Sequence, residues 1–463
     1  MALGRRGGRE GSMWVAASSL PRSPGHPFYE RLNRVLDEAG FDRFVEDRCA
    51  ALYVAGQGRP SIPPGTYFRM LLVGYFEGID SQRGIAWRCS DSLALRDFLG
   101  LSLEDRVPDH SSLTVIRQRL PLELHEEVFV FVLKVIGEKG LLRGKTLGVD
   151  ATTLEANAAM KSIVRRDSGE SWQQYIRRLA EEEGADDPDD DDARRMDRRR
   201  DKRVSNKDWE SKSDPDGRIT KLKDGRTRLA YKAEHVIDLE TEAIVSATIY
   251  PADLRDGSTL FESLSQSQEN VVRAGLDAFA AEAIADKGYH KAEALAECTE
   301  WGIRTYIPER RDHETRRWTD KPNGWREAFH ANRRRIRGRR GRALQRLRSE
   351  RVERSFAHVC RSGNQRRTWL RGRENVQKRY LLTAAARNLG LLMLHLFGVG
   401  SPRSLQGLRA AAFFIASVLS SLVRLYDDVG GLVMTVARAF SLHGIHRHIQ
   451  WRNLETATSS TVS

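Results

Sequence analysis

Three acidic residues stand where a carboxylate has no structural reason to be. Asp150 ends the apolar run Thr146-Leu147-Gly148-Val149, Asp286 ends Ala283-Ile284-Ala285, and Glu353 adjoins Val352 in a stripe of Val352, Phe356 and Val359 at helical spacing. A carboxylate at the end of a buried strand costs several kcal/mol to desolvate unless it is paired or binds metal. For any one of them, a turn cap or an arginine partner is the commoner explanation. Three together form a set of hard oxygen ligands suited to Mg²⁺. Two ions roughly 3.5–4 Å apart can activate water and stabilise the leaving oxygen of a phosphodiester.

The elements that must position these groups can be read around them. The order is a strand at 146–152, a hairpin of strands at 229–238 and 243–250, a helix at 256–270, and the short strand ending at Asp286. A helix at 290–300, a strand at 303–307 and a long helix around 341–360 follow. This order suits an α/β fold with a mixed sheet flanked by helices. Before it, residues 26–140 read as an all-helical domain, with Asp80, Asp91 and Asp109 or Ser111 as caps and a long apolar helix at 122–138. Its short helices fit either a helix-turn-helix or a plain bundle. Residues 1–25 read as a flexible N-terminus, 141–400 as the catalytic domain and 401–463 as a helical tail. The segment 161–228 reads as a charged insertion, with an acidic run at 186–192 followed by a basic one at 194–203.

The chain has 463 residues and a net charge of +13, which favours a polyanionic partner. Arg333, Arg334, Arg335, Arg337, Arg339, Arg340, Arg342, Arg346 and Arg348 crowd the stretch before Glu353, and Arg351 and Arg354 flank it. Such a group would give sequence-independent, salt-sensitive affinity for DNA phosphates. Trp318, Trp325 and Trp369 lie among arginines and could stack on unpaired bases. Cys49, Cys89, Cys298 and Cys360 form no CxxC pair, which argues against a disulfide framework and fits a cytoplasmic protein. No Walker-type loop points to ATP. The apolar runs 389–399 and 410–423 fall short of the roughly 20 residues that a membrane span needs, so both are expected to be buried helices. His443, His446 and His448 lack acidic or cysteine neighbours and read as a surface cluster.

The segments Gly148-Val149-Asp150-Ala151-Thr152, Ala285-Asp286-Lys287-Gly288-Tyr289 and Arg351-Val352-Glu353-Arg354-Ser355-Phe356 together resemble the DDE transposases of bacterial insertion sequences. Gly78 to Ile85 and Pro108 to Leu113 resemble the N-terminal domain of that group, and the resemblance covers about 25–400. It implies a ribonuclease H-like catalytic domain with Asp150, Asp286 and Glu353 as the metal-binding triad. The ions would be two Mg²⁺, with Mn²⁺ as a substitute. The implied activity is hydrolysis at element ends, then attack of the freed 3′-hydroxyl on target DNA by a homo-oligomer. Some members carry Tyr, Arg and Lys around the glutamate. Here the matching positions hold Arg346, Ser349 and Cys360, with Arg348 and Arg361 one residue away. That departure keeps open a second reading, a non-enzymatic protein that occupies terminal repeats.

Overall fold

The computed structural model describes residues 26–53, 61–184, 195, 205–222, 224–310 and 318–406. The expectations for residues 1–25, for the acidic and basic runs at 186–203, for the run at 410–423 and for the three C-terminal histidines lie outside the described residues.

The helical region runs α1 (Pro27–Glu38), α2 (Phe41–Cys49), α3 (Pro64–Glu77), α4 (Gln82–Asp91), α5 (Leu93–Phe98), α6 (His110–Arg119) and α7 (Leu122–Glu138). Pro64 opens α3, where its missing N–H costs nothing. Thr66 to Phe76 are buried throughout, so α3 is the central helix of this region. Its one deep charge, Arg69, is 4% exposed and ties three neighbours together. Arg69 pairs with Asp37 of α1 at 2.9 Å and Asp42 of α2 at 2.6 Å, and donates to the Phe98 carbonyl at the end of α5 at 3.2 Å. Two caps differ from expectation. Ser81 and Ser92, not Asp80 and Asp91, accept the N3 amides of α4 and α5. Each hydroxyl sits one residue later, at the position with extended backbone. Asp109 caps α6 as expected.

The second part comprises β1 (Thr146–Glu155), β2 (Ile163–Arg165), α8 (Trp172–Glu182), β3 (Trp209–Ser211), β4 (Arg218–Lys221), β5 (Thr227–Asp238) and β6 (Ile244–Pro251). It continues with α9 (Leu260–Arg273), β7 (Glu282–Ile284), α10 (Ala292–Glu300), β8 (Arg304–Tyr306), α11 (Asn323–Arg337), α12 (Arg339–Ala357) and α13 (Arg373–Phe397). A six-stranded sheet has the order β4-β5-β1-β7-β8, with β6 also on β5. The β5 and β6 pairings are antiparallel, while β1, β7 and β8 run parallel. This is the α/β, ribonuclease H-like arrangement, a mixed sheet flanked by helices and preceded by helices. Parts of the insertion are ordered. β2 and β3 form a ribbon on which Trp172 and Tyr175 of α8 pack against Trp209.

α13 covers the outer edge of β6. Gln377 meets the Ile249 amide and the Ala247 carbonyl at 2.6 and 2.8 Å, and Asn388 meets the amide and carbonyl of Ile244 at 2.9 and 2.8 Å. Two side-chain amides thus close an edge that would otherwise template further strands. The stretch Arg373–Leu405 is long and apolar enough to cross a membrane by length and composition, but 67% of its apolar window is buried inside the protein, as in a core helix. The run at 389–399 was read as a separate helix. It is the end of α13.

Two fully buried histidines make stability depend on pH. His125 Nδ1 donates to the Pro121 carbonyl at 2.9 Å and its Nε2 meets the Tyr67 hydroxyl, and His235 lies between Ser355 Oγ (3.0 Å) and Tyr380 Oη (2.8 Å). Burial pushes their values down to about 4 and about 3. The unfolded chain takes up protons near pH 6.5 that the native protein refuses. Stability is therefore full above that pH and is lost as pH falls toward 4, each histidine contributing a slope of about 1.4 kcal/mol per pH unit. Urea midpoints measured from pH 7 to 5 should fall, and His125→Gln should flatten the slope by about one proton. An unchanged slope would contradict the assignment.

Candidate active site

Asp150 and Asp286 occupy equivalent places on neighbouring parallel strands. The last paired residues of β1 and β7 are Gly148 and Ile284, and each aspartate follows two positions later. Asp150 does not end its strand, as the sequence reading expected. β1 continues to Glu155 because β5 keeps supplying antiparallel partners, with Asp150 opposite His235. β7 instead turns away into the 3₁₀ turn Lys287–Tyr289. Asp150 therefore sits at a fork, with one side of its strand released from the sheet.

Burial raises the Asp150 carboxyl above its ordinary value. The Arg348 guanidinium opposes that rise, and the charge of Asp286 adds to it. Arg348 Nη1 donates to Asp150 Oδ2 at 2.7 Å, and the Ala151 amide donates to Oδ1 at 2.8 Å. Asp286 Oδ1 accepts from the Gly288 amide at 2.6 Å and so caps its own turn. A methyl on Gly288 would lie 2.6 Å from Asp256 Oδ2 and 2.8 Å from Asp286 Oδ1, so a side chain there would push both carboxylates aside.

Tyr289 anchors this turn from below. Its hydroxyl donates to Glu234 Oε2 at 2.8 Å, and Glu234 also accepts from Thr259 (2.8 Å) and Ser263 (2.5 Å). Lys232 bridges Glu234 at 3.0 Å and Asp256 at 2.9 Å. The Glu234 side chain is fully buried and that of Lys232 is 7% exposed. Sequence reasoning missed both. The available signal was two charges, Lys232 and Glu234, inside the apolar run Leu229 to Ile237. Asp256 also belongs to this network.

Glu353 comes from α12, which is clamped to the sheet next to Asp150. Val352 is fully buried, and a methyl on Gly148 would lie 3.1 Å from its Cγ2. Phe356 stacks on His235 at 4.1 Å. Glu353, one residue from the buried seam, is exposed and accepts from Ser349 Oγ at 3.3 Å. Asp150, Thr152, Glu350, Glu353 and Arg366 line one cleft of about 770 Å³. Asp286 lies beside Asp150 but not on that cleft wall. Among the described residues, no three His, Cys, Asp or Glu side chains stand close enough to hold a metal ion. The expected meeting of all three carboxylates is therefore incomplete. The two aspartates are neighbours, the glutamate is across the cleft, and Arg348 supplies the cation at Asp150.

The arginines form no loop. They lie on α11 and α12, and several are engaged within the chain. Arg333 pairs with Glu309, Arg335 donates to Thr305, Arg351 to the Leu239 carbonyl, and Arg354 pairs with Glu242 and Glu350. With Arg340 on Glu282 and Arg348 on Asp150, six of the eleven arginines expected to meet DNA thus have internal partners. Arg334 and Arg337 are exposed, as are Arg339, Arg342 and Arg346. Trp318 packs on Phe329, whereas Trp369 is 53% exposed.

A sheet of this order, with aspartates at the fork of two parallel strands, is a ribonuclease H-like arrangement. Comparison with known families agrees. Residues 18–119 match a family described as a transposase domain (DUF772), and residues 285–393 match one described as a transposase DDE domain. Together the two matches support a DDE-type transposase of insertion sequences. No curated protein and no solved structure matches the chain. The second match includes Asp286 and Glu353; Asp150 lies outside both. Transposase domains imply DNA as the partner, and the DDE domain suggests a nuclease-type enzyme, in a family that generally uses divalent metals.

Proposed function

We propose that the protein hydrolyses a phosphodiester at the ends of its element and joins the freed 3′-hydroxyl to target DNA, with Asp150, Asp286 and Glu353 holding divalent ions. The observation that carries this reading is the pair of aspartates side by side at the β1–β7 fork, with Glu353 on a cleft that Asp150 also lines. The donor set is all carboxylate, which fits Mg²⁺ or Mn²⁺. Such ions would supply a nucleophilic water and charge stabilisation at the leaving oxygen. Arg348 pairs with Asp150 at 2.7 Å. The buried Glu234 network holds the Asp286 turn, and α12 brings Glu353 to the cleft. The helical region 26–140 then serves as the DNA-end-binding domain, and residues 141–400 as the catalytic one.

The exposed arginines Arg334, Arg337 and Arg346 meet DNA phosphates. Replacing all three by Gln should weaken binding to any duplex, and the log–log salt slope should drop by about 2.7. An unchanged slope in a fluorescence anisotropy titration would place the phosphate contacts elsewhere. The ion pair between Arg348 and Asp150 favours a second reading, a DNA-binding protein without chemistry. Incubation with element-end DNA and Mg²⁺ or Mn²⁺ separates the two. Nicked and joined products support the first reading, and tight binding with no metal-dependent product supports the second.

A further inference from the structure

Behind the cleft lies a smaller cavity of about 210 Å³, lined by residues of α3, α4, α6, α13 and the segment 365–370. Two arginines line it, with Asp80 as the carboxylate of the same wall. Arg117 of α6 uses Nε on Asn375 Oδ1 at 3.3 Å, while its Nη1 is buried with no hydrogen-bond partner. Arg379 of α13 donates to the Ile79 carbonyl at 3.3 Å. Among the described residues, neither has a carboxylate within ion-pair distance. Burial lowers the values of both, Arg379 to about 10. Both side chains are half-buried, and they share one wall carboxylate, Asp80, whose charge acts on Arg379. Guanidinium groups suit phosphate oxygens better than any other side chain does.

The cavity mouth carries an aromatic surface. Trp369 is 53% exposed, and its ring is fixed because Nε1 donates to Asp80 Oδ2 at 2.5 Å. Asp80 is the carboxylate of this wall, and that bond occupies one of its oxygens. The Arg367 guanidinium lies 5.2 Å from the ring centre. An exposed, immobilised tryptophan is a platform for a nucleic-acid base.

The cavity is also connected to the cleft. The segment 366–368 continues the sheet beside the end of β1, the Glu155 amide donating to the Arg366 carbonyl at 3.0 Å and the Thr368 amide to the Glu155 carbonyl at 2.8 Å. Successive residues of extended chain face opposite sides. Arg366 accordingly lines the cleft with Asp150, and Arg367 lines the cavity.

We infer that this cavity is a nucleotide subsite, in which a backbone phosphate of the DNA strand running through the cleft seats between Arg117 and Arg379 and its base lies on Trp369. The inference rests on the DNA-processing reading above and deepens it. It gives the helical region a contact, through Arg117, with the strand at the catalytic cleft.

The test uses the full chain and a fluorescein-labelled eight-nucleotide oligothymidylate. Trp369→Ala should weaken binding by about 5- to 100-fold, the range reported for loss of one base stack. Trp369→Phe should restore most of it. Arg117→Gln should weaken binding and lower the salt slope by about 0.7, the value for one phosphate on a single strand. Neither variant should alter Mn²⁺ binding. Wild-type binding with Trp369→Ala and Arg117→Gln both at wild-type affinity would overturn the subsite while leaving the broader reading intact. No binding by wild-type protein would overturn both. Inorganic phosphate forms the second arm. If it raises the wild-type melting temperature through Arg117, and Trp369→Ala leaves oligonucleotide binding unchanged, the cavity holds a free anion and the nucleotide assignment is overturned.

Discussion

Under the proposed function, Asp150→Asn should abolish nearly all DNA cleavage while the protein stays folded. The substitution keeps the shape of the side chain and an acceptor for Arg348, but removes the charge that would hold a cation at the fork of β1 and β7. Metal-based charge stabilisation is worth several kcal/mol, so the expected loss is about three orders of magnitude in rate. The Asp150 side chain is 25% exposed, and the ion pair it loses is only partly buried. The melting temperature should therefore fall by only a few degrees. Asp253→Asn is the control, since Asp253 makes a loose 3.9 Å pair with Arg218 at a 42% exposed side chain. Its cleavage rate should match wild type. Near-normal cleavage by Asp150→Asn would remove this residue from the chemistry.

The second large effect falls on stability. Glu234→Ala leaves Lys232 buried with Asp256 alone, and strips the acceptor from Thr259, Ser263 and the Tyr289 hydroxyl. Removing one partner of a buried ion pair typically costs about 3–5 kcal/mol. The double variant Lys232→Met, Glu234→Leu should recover part of that, because no fully buried charge remains and the Asp256 carboxylate that loses Lys232 is 37% exposed to solvent. The measurement is the urea midpoint of each protein with the m-value held constant. A single variant within about 0.5 kcal/mol of wild type, the scatter of an ordinary surface substitution, would show that the network carries no such weight.

The same network marks where sequence reading stops. The strand ending at Asp286, the hairpin of β5 and β6, and the helix Leu122–Glu138 were legible because each is a local apolar pattern with a turn or cap beside it. The reason for Lys232 and Glu234 was not legible. Their partners, Thr259, Ser263 and Tyr289, come from two later elements, and only the folded sheet brings them together. Distance along the chain also hid the role of Asp80, read as a helix cap. Its partner Trp369 is 289 residues away. The arginines before Glu353 repeat the lesson. Their charge was plain in the sequence, but the counter-charges at Glu309 and Glu242 were not, so the stretch read as one DNA-binding group. The structure divides it into arginines that brace helices and arginines left facing solvent. Asp150 was placed at a strand end because its apolar run stops there, whereas β5 pairs with β1 through the polar residues that follow.

Counting bound Mn²⁺ by electron paramagnetic resonance tests the central claim most directly, because it reads ligation without requiring turnover. The wild-type protein with element-end DNA should bind two ions. Asp150→Asn, Asp286→Asn and Glu353→Gln should each lose at least one, or bind it at least about tenfold more weakly, a loss of about 1.4 kcal/mol. Glu353→Gln binding the same number of ions with wild-type affinity would contradict the account, since the late helix would then contribute nothing to the metal site.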